Sequence, residues 1–218
     1  MNIENLYFAL EIIGTVAFAV TGVITAYDSS LDVLGAVVLG LVTAVGGGIL
    51  RDIILGYLPP AAFRIPVFSI IAIITSLLAF IIAYFVGKRI KEHFEPWARI
   101  INVFDSIGLA AFTIAGINAA HACGFAENSF LSIFVGVLTA VGGGVLRDIM
   151  AGVVPGILKK RVYAIAALAG ACIYQGLMEL TSLANQYAVI ISISAIFIIR
   201  ILATLFKWNL PSVKNNEE

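Results

Sequence analysis

Charge is what this 218-residue chain has least of: 12% of its residues are Asp, Glu, Lys or Arg, against 61% hydrophobic. A soluble domain carries roughly 25% charged residues. With a mean hydropathy of +1.06, the composition excludes a water-soluble globule and points to an integral membrane protein. Cysteine is scarce too. Cys123 and Cys172 are too few and too far apart for a disulfide framework or a metal site, and read as packing residues. Of the two histidines, His93 falls in a basic loop and His121 at a span end, neither with a partner that suggests a metal. There is no P-loop, zinc spacing or nucleophile elbow, so no enzyme activity and no cofactor are expected. The opening MNIEN lacks the Lys or Arg of a signal peptide. Net charge is zero, and no nucleic-acid partner is expected.

What remains is apolar sequence in lengths that suit a bilayer. Seven stretches are long enough to span one, at residues 7–26, 33–56, 66–87, 102–121, 129–152, 162–181 and 185–206. A β-barrel would show short alternating segments instead, so the expected fold is all-α. Ten of the thirteen basic residues fall on one side of this threading: Lys88, Arg89, Lys91, Arg99, Lys159, Lys160, Arg161, Arg200, Lys207 and Lys214. The positive-inside rule then puts the N-terminus outside and the C-terminus in the cytoplasm, in a bacterial-type plasma membrane. Arg200 reads as a residue snorkelling to the interface. Tyr7, Tyr57, Tyr84, Trp97 and Trp208 read as interfacial aromatics.

Against that background one phrase is written twice. Residues 43–56 read TAVGGGILRDIILG and residues 139–152 read TAVGGGVLRDIMAG. Each glycine costs ~1 kcal/mol against alanine in a helix interior, and intramembrane charges cost more. The correspondence extends to Glu11, Gly14, Ala17, Phe18 and Gly22, which match Asp105, Gly108, Ala111, Phe112 and Gly116. Spans one to three and four to six are therefore copies, and the odd number per copy inverts the second in the membrane. The expected organisation is a first three-helix repeat over 1–95, an inverted second repeat over 96–183, and a seventh helix with a cytoplasmic tail over 184–218.

Gly46, Gly47, Gly48 and Gly142, Gly143, Gly144 fall mid-span, which predicts a kink or break in spans two and five. Carbonyls freed there suit a hard cation such as K⁺ or Na⁺; close helix packing through small residues is the other reading. Arg51-Asp52 and Arg147-Asp148 are sequence neighbours, which point to different helix faces and are not expected to pair with each other. Matched depths instead predict intramembrane pairs Glu11–Arg51 and Asp105–Arg147. Glu11, Gly14, Phe18 and Gly22, and likewise Asp105, Gly108, Phe112 and Gly116, form one stripe of a helix each. Thr43, Thr139, Phe18 and Phe112 are candidate pore-lining residues, and Thr21 and Thr113 could also offer hydroxyls to a pore, although Thr in membrane helices more often bonds its own backbone.

The doubled GGGxxRD phrase in a chain of three plus three plus one spans resembles the prokaryotic relatives of the trimeric intracellular cation channels, over essentially its whole length. The resemblance implies a homotrimer with a pore in each protomer, conducting monovalent cations with preference for K⁺, embedded among membrane lipids. It also implies that the two glycine triplets flank that pore. The same bacterial domain is associated with glycine uptake, so a secondary transporter of a small zwitterion stays open beside the favoured channel.

Overall fold

The computed structural model describes residues 3–90, 95–159, 162–181, 183–206 and 208. Lys91, His93, Lys160, Arg161, Lys207 and Lys214 lie outside the described residues, as do the side chains of Lys88, Arg89, Trp97, Arg99 and Lys159. The described residues form helices and no strands: α1 (Ile3–Asp28), α2 (Val33–Ile54), α3 (Ala61–Arg64), α4 (Val67–Ile90), α5 (Glu95–Ala120), α6 (Ser129–Met150), α7 (Gly156–Lys159), α8 (Tyr163–Leu180) and α9 (Asn185–Leu205). All but the four-residue α3 and α7 are long and apolar enough to cross a bilayer. The seven expected spans are all present, with ends displaced by a few residues.

Helix ends explain why the two copies begin and stop where they do. Asp32 caps α2 by accepting the Gly35 N–H at 2.7 Å, and Asn128 caps α6 by accepting the Leu131 N–H at 3.0 Å. The final glycine of each phrase ends its helix in a left-handed turn, Gly56 at φ 70° and Gly152 at φ 71°. Tyr57 N–H then returns to Asp52 O and Val153 N–H to Asp148 O, which satisfies carbonyls the helix end would orphan. After α5 the chain makes a wider helical turn over His121–Phe125, released by Gly124 at φ 88°.

Within the bundle, α1, α2, α5 and α6 pack on one another, with α4 against the first pair and α8 and α9 against the second. Of the α5 span 67% is buried, against 17% for α4, so α5 is central and α4 peripheral. The outward face of α4 carries Ile70, Ile74, Leu78 and Ile82, four exposed residues one helical turn apart. Apolar residues facing outward along a spanning helix suit lipid as the surrounding solvent.

The glycine triplets do not break their helices. Helical structure runs uninterrupted through Gly46, Gly47 and Gly48 and through Gly142, Gly143 and Gly144, which corrects the expectation of a break with released carbonyls. Their use is proximity. A Cβ on Gly47 would lie 2.1 Å from the Thr139 carbonyl oxygen, and one on Gly143 would lie 2.0 Å from the Thr43 carbonyl oxygen. Helices α2 and α6 cross backbone to backbone there, and each half contributes the same contact to the other.

Candidate functional site

The two Arg-Asp pairs build one local unit each. Arg51 Nε donates to Asp52 Oδ1 at 2.8 Å, and Arg147 Nε donates to Asp148 Oδ1 at 2.8 Å. The other carboxylate oxygen holds the start of the next short helix: Asp52 Oδ2 accepts Ala61 N–H at 2.7 Å, and Asp148 Oδ2 accepts Gly156 N–H at 2.6 Å. These pairings correct the expectation that adjacent residues do not meet. Four rotatable bonds let the guanidinium fold back across the helix surface to the neighbouring carboxylate, a reach that face-counting by Cβ direction ignores.

Beyond that shared unit the halves diverge. Glu11, Arg51 and Asp52 line a cavity of about 450 Å³ together with Tyr7, Thr15 and Asn118. Glu11 opens onto this cavity without reaching ion-pair distance of Arg51, so the expected Glu11–Arg51 pair is not formed; the guanidinium goes to Asp52 instead. At the corresponding place in the second half the cavity measures only about 30 Å³. Here Arg147 Nη1 lies 3.3 Å from Asp105 Oδ1 and donates to Thr21 Oγ1 at 3.1 Å. Arg200 closes the cluster. Its Nη2 is 3.9 Å from Asp105 Oδ2, its Nε donates to Ser106 Oγ at 3.2 Å, and its guanidinium sits 4.8 Å above the Tyr163 ring. Only 3% exposed, Arg200 is an inward-facing residue and does not snorkel as expected.

Phe18 and Phe112 occupy the middle, with ring centroids 5.2 Å apart. Phe112 lies against Gly14 and Phe18 against Gly108, so each ring fills the space a missing side chain leaves in the opposite half. Phe112 borders the wide cavity, and Phe18 is 1% exposed. Thr43, Thr139, Thr21 and Thr113 all donate to their own helix backbone, at Leu39, Val135, Phe18 and Leu109 respectively. Of Thr43 and Thr139, Thr139 borders the wide cavity, while Thr43 is wholly buried.

Several residues gain roles that the sequence reading did not assign. Tyr7 and Tyr57 border the wide cavity rather than serving only as interfacial aromatics. The Tyr7 hydroxyl is 3.1 Å from that of Tyr174, which donates to Asn118 Oδ1 at 2.8 Å. His121 Nε2 pairs with Gln175 Oε1 at 2.9 Å. Cys123 is half-buried, whereas Cys172 is exposed, so the latter is no core packing residue. For Arg200 a signal existed: an arginine in the apolar run IIRIL, at the depth of Asp105, is expensive unless partnered. Thr21 was noted only as a possible pore hydroxyl and not as a partner of Arg147, and Asn118 carried no signal.

A polytopic helical membrane protein whose two similar halves meet at close-packed glycines and enclose charged, unequal cavities is the class this geometry defines. The family model described as Glycine transporter matches the chain twice, over residues 8–84 and 102–179, and the protein belongs to that family. Among relatives, the UPF0126 membrane protein YvgT of Bacillus subtilis is 35% identical over 93% of this chain and 94% of its own length. The UPF0126 inner membrane protein YadS of Escherichia coli K12 is 32% identical over 97% and 98%. A chain solved in work on conductance through TRIC cation channels superposes with a TM-score of 0.81 at 36% identity, covering 96% of this chain and 98% of that one. The TRIC trimeric intracellular cation channel orthologue from Rhodobacter sphaeroides superposes with a TM-score of 0.83 at 29% identity, covering 93% and 99%.

Proposed function

We propose that the protein is a monovalent cation channel with a preference for K⁺, one pore running through each protomer of a homotrimer, with the N-terminus outside and the C-terminus in the cytoplasm. The observation that carries this reading is the charge of the wide cavity. Glu11 and Asp52 stand against a single guanidinium, Arg51, for a formal charge of −1 among its lining residues. Arg51 is neutralised in place by Asp52, so the residue that would repel a cation is occupied and Glu11 is left facing the space. The structural likeness to TRIC cation channels supports the same reading.

The test is conductance of the purified protein in planar bilayers. Discrete K⁺-carrying steps are expected. A unit charge at 4 Å is worth ~1 kcal/mol in water and more in an enclosed site, so Glu11→Gln should lower conductance about fivefold at low salt and less at high salt. Conductance unchanged by Glu11→Gln at low salt would remove the reading. A second reading, a carrier of glycine, draws on the one-sided cavity and the family description. Arg51 and Glu11 face the same space and offer a carboxylate site and an ammonium site. Saturable counterflow of labelled glycine without single-channel steps would favour the carrier.

A further inference from the structure

The two cavities are one site built twice at different sizes. Glu11, Val45, Gly48, Arg51, Asp52 and Ala61 line the wide one. The corresponding Asp105, Val141, Gly144, Arg147, Asp148 and Ile157 line the narrow one. Since the glycine crossing and the Arg-Asp units are common to both, the difference must come from side chains without a counterpart. Thr21 reaches Arg147, whereas the position that corresponds to it in the second half is Ala115. Tyr163 stands where the first half has Val67. Most of all, Arg200 is carried by α9, outside both segments that match the family model.

We propose that Arg200 is the latch of a gate that holds the Asp105 half shut, and that its release lets the narrow cavity widen towards the dimensions of the wide one. This rests on reading the two cavities as halves of one pathway, though not on what passes through it. Arg200 gathers three helices, touching Asp105 and Ser106 of α5 and Tyr163 of α8 from its own place on α9. It also completes a charge balance. Asp105 and Asp148 are matched by Arg147 and Arg200, so the closed cluster is formally neutral and can stay dry. Without Arg200 the cluster carries −1, the same formal charge as the open cavity, and a buried uncompensated charge calls for water or a cation. Opening and hydration are thus coupled through one guanidinium.

The test uses the full-length protein in nanodiscs, on a Cys123→Ser/Cys172→Ser background, with a charged, water-soluble thiol reagent. Val45→Cys and Val141→Cys are matched reporters, one in each cavity. With Arg200 present, Val45→Cys should label quickly and Val141→Cys slowly. Arg200→Gln should speed labelling of Val141→Cys about tenfold, a shift of about 1.4 kcal/mol in the opening equilibrium, and leave Val45→Cys unchanged. Arg200→Lys keeps the charge without the planar fork; it should give a smaller rise, and carries the test alone if the Gln variant does not fold. A Val141→Cys rate unmoved in the folded variants overturns the proposal. So does a rise shared equally by Val45→Cys, which would mean general loosening. Because labelling needs no flux, failure of the channel reading leaves these rates as expected, and failure of the latch leaves conductance to be judged separately.

Discussion

Alanine substitution within the glycine triplets should sort neighbouring residues sharply. A Cβ on Gly47 would sit 2.1 Å from the Thr139 carbonyl oxygen, and real Cβ atoms essentially never approach closer than 3.0 Å. The obstacle is backbone in the facing helix, so α2 and α6 must separate by about 1 Å along a contact they share over much of their length. Overpacking of this kind typically costs ~1–3 kcal/mol, with the upper end expected where no side chain can rotate away. The methyl returns ~1 kcal/mol of helix propensity, for a net loss of ~2 kcal/mol. At ~2–4 °C per kcal/mol for a chain of this size, Gly47→Ala should lower Tm by ~4–8 °C in detergent micelles, read by intrinsic fluorescence. Gly48→Ala is the internal control. Its Cβ would meet only the Arg51 Nη2 at 3.7 Å, an ordinary contact, so it keeps the propensity gain and should raise Tm by ~2–4 °C. Gly143 and Gly144 should repeat the contrast, with their nearest contacts at 2.0 Å (Thr43 O) and 3.5 Å (Tyr163 Oη). Once one methyl has pushed the helices apart the second meets less resistance, so Gly47→Ala/Gly143→Ala should cost less than the sum of the singles. Equal Tm shifts for Gly47→Ala and Gly48→Ala would refute close contact as the reason for the triplet.

The carboxylates should differ between halves. Asp105→Asn strips two guanidiniums of a shared partner and should destabilise by ~3–5 kcal/mol, whereas Glu11→Gln, which breaks no ion pair, should leave Tm nearly unchanged; similar losses in both would contradict the assigned geometry. Phe112→Ala removes one ring of the central pair and should cost ~3–5 kcal/mol if the space stays empty. It should also raise basal ion leak through proteoliposomes, and an unchanged leak would show that the rings are packing and not a constriction.

Much of the fold was legible because a bilayer imposes it. Span lengths follow from thickness, and Asp105–Arg147 could be paired by depth because both residues were expensive unless matched. The same reasoning failed for Glu11–Arg51, because depth says which residues can meet and not which do: Arg51 meets Asp52 while Glu11 stays on the cavity wall, whereas Arg147 meets both Asp148 and Asp105. The glycines misled through their local cost. Propensity treats a triplet as a weak point in one helix, but Gly47 and Gly143 are required by the carbonyls of Thr139 and Thr43 on a facing helix, the small-residue packing that was the other reading of the same pattern. The inequality of the cavities could not be read from the repeated phrase, because that phrase is nearly identical in both halves. It resides in Arg200, Tyr163 and Thr21, which lie outside it.

That location of the asymmetry bears on why each copy keeps its Arg-Asp pair. In both halves the aspartate ties the end of a long helix to the start of a short one while neutralising the adjacent guanidinium. The adjacent aspartate thus gives each arginine its nearest counter-charge, and the carboxylate on the neighbouring helix, Glu11 or Asp105, meets different company in each half. In the first half it faces an open cavity. In the second, Arg147 and Arg200 approach one oxygen each. The halves thus differ in how available that carboxylate is, and the group that approaches the second oxygen of Asp105 comes from α9. On the proposed reading of two inverted copies lining one pathway, the parts common to both would give no preferred side on which to be closed, since any energy they lend to closure of one half they lend to the other. Arg200 on the unduplicated α9, together with Tyr163 and Thr21, removes that equivalence on the Asp105 side.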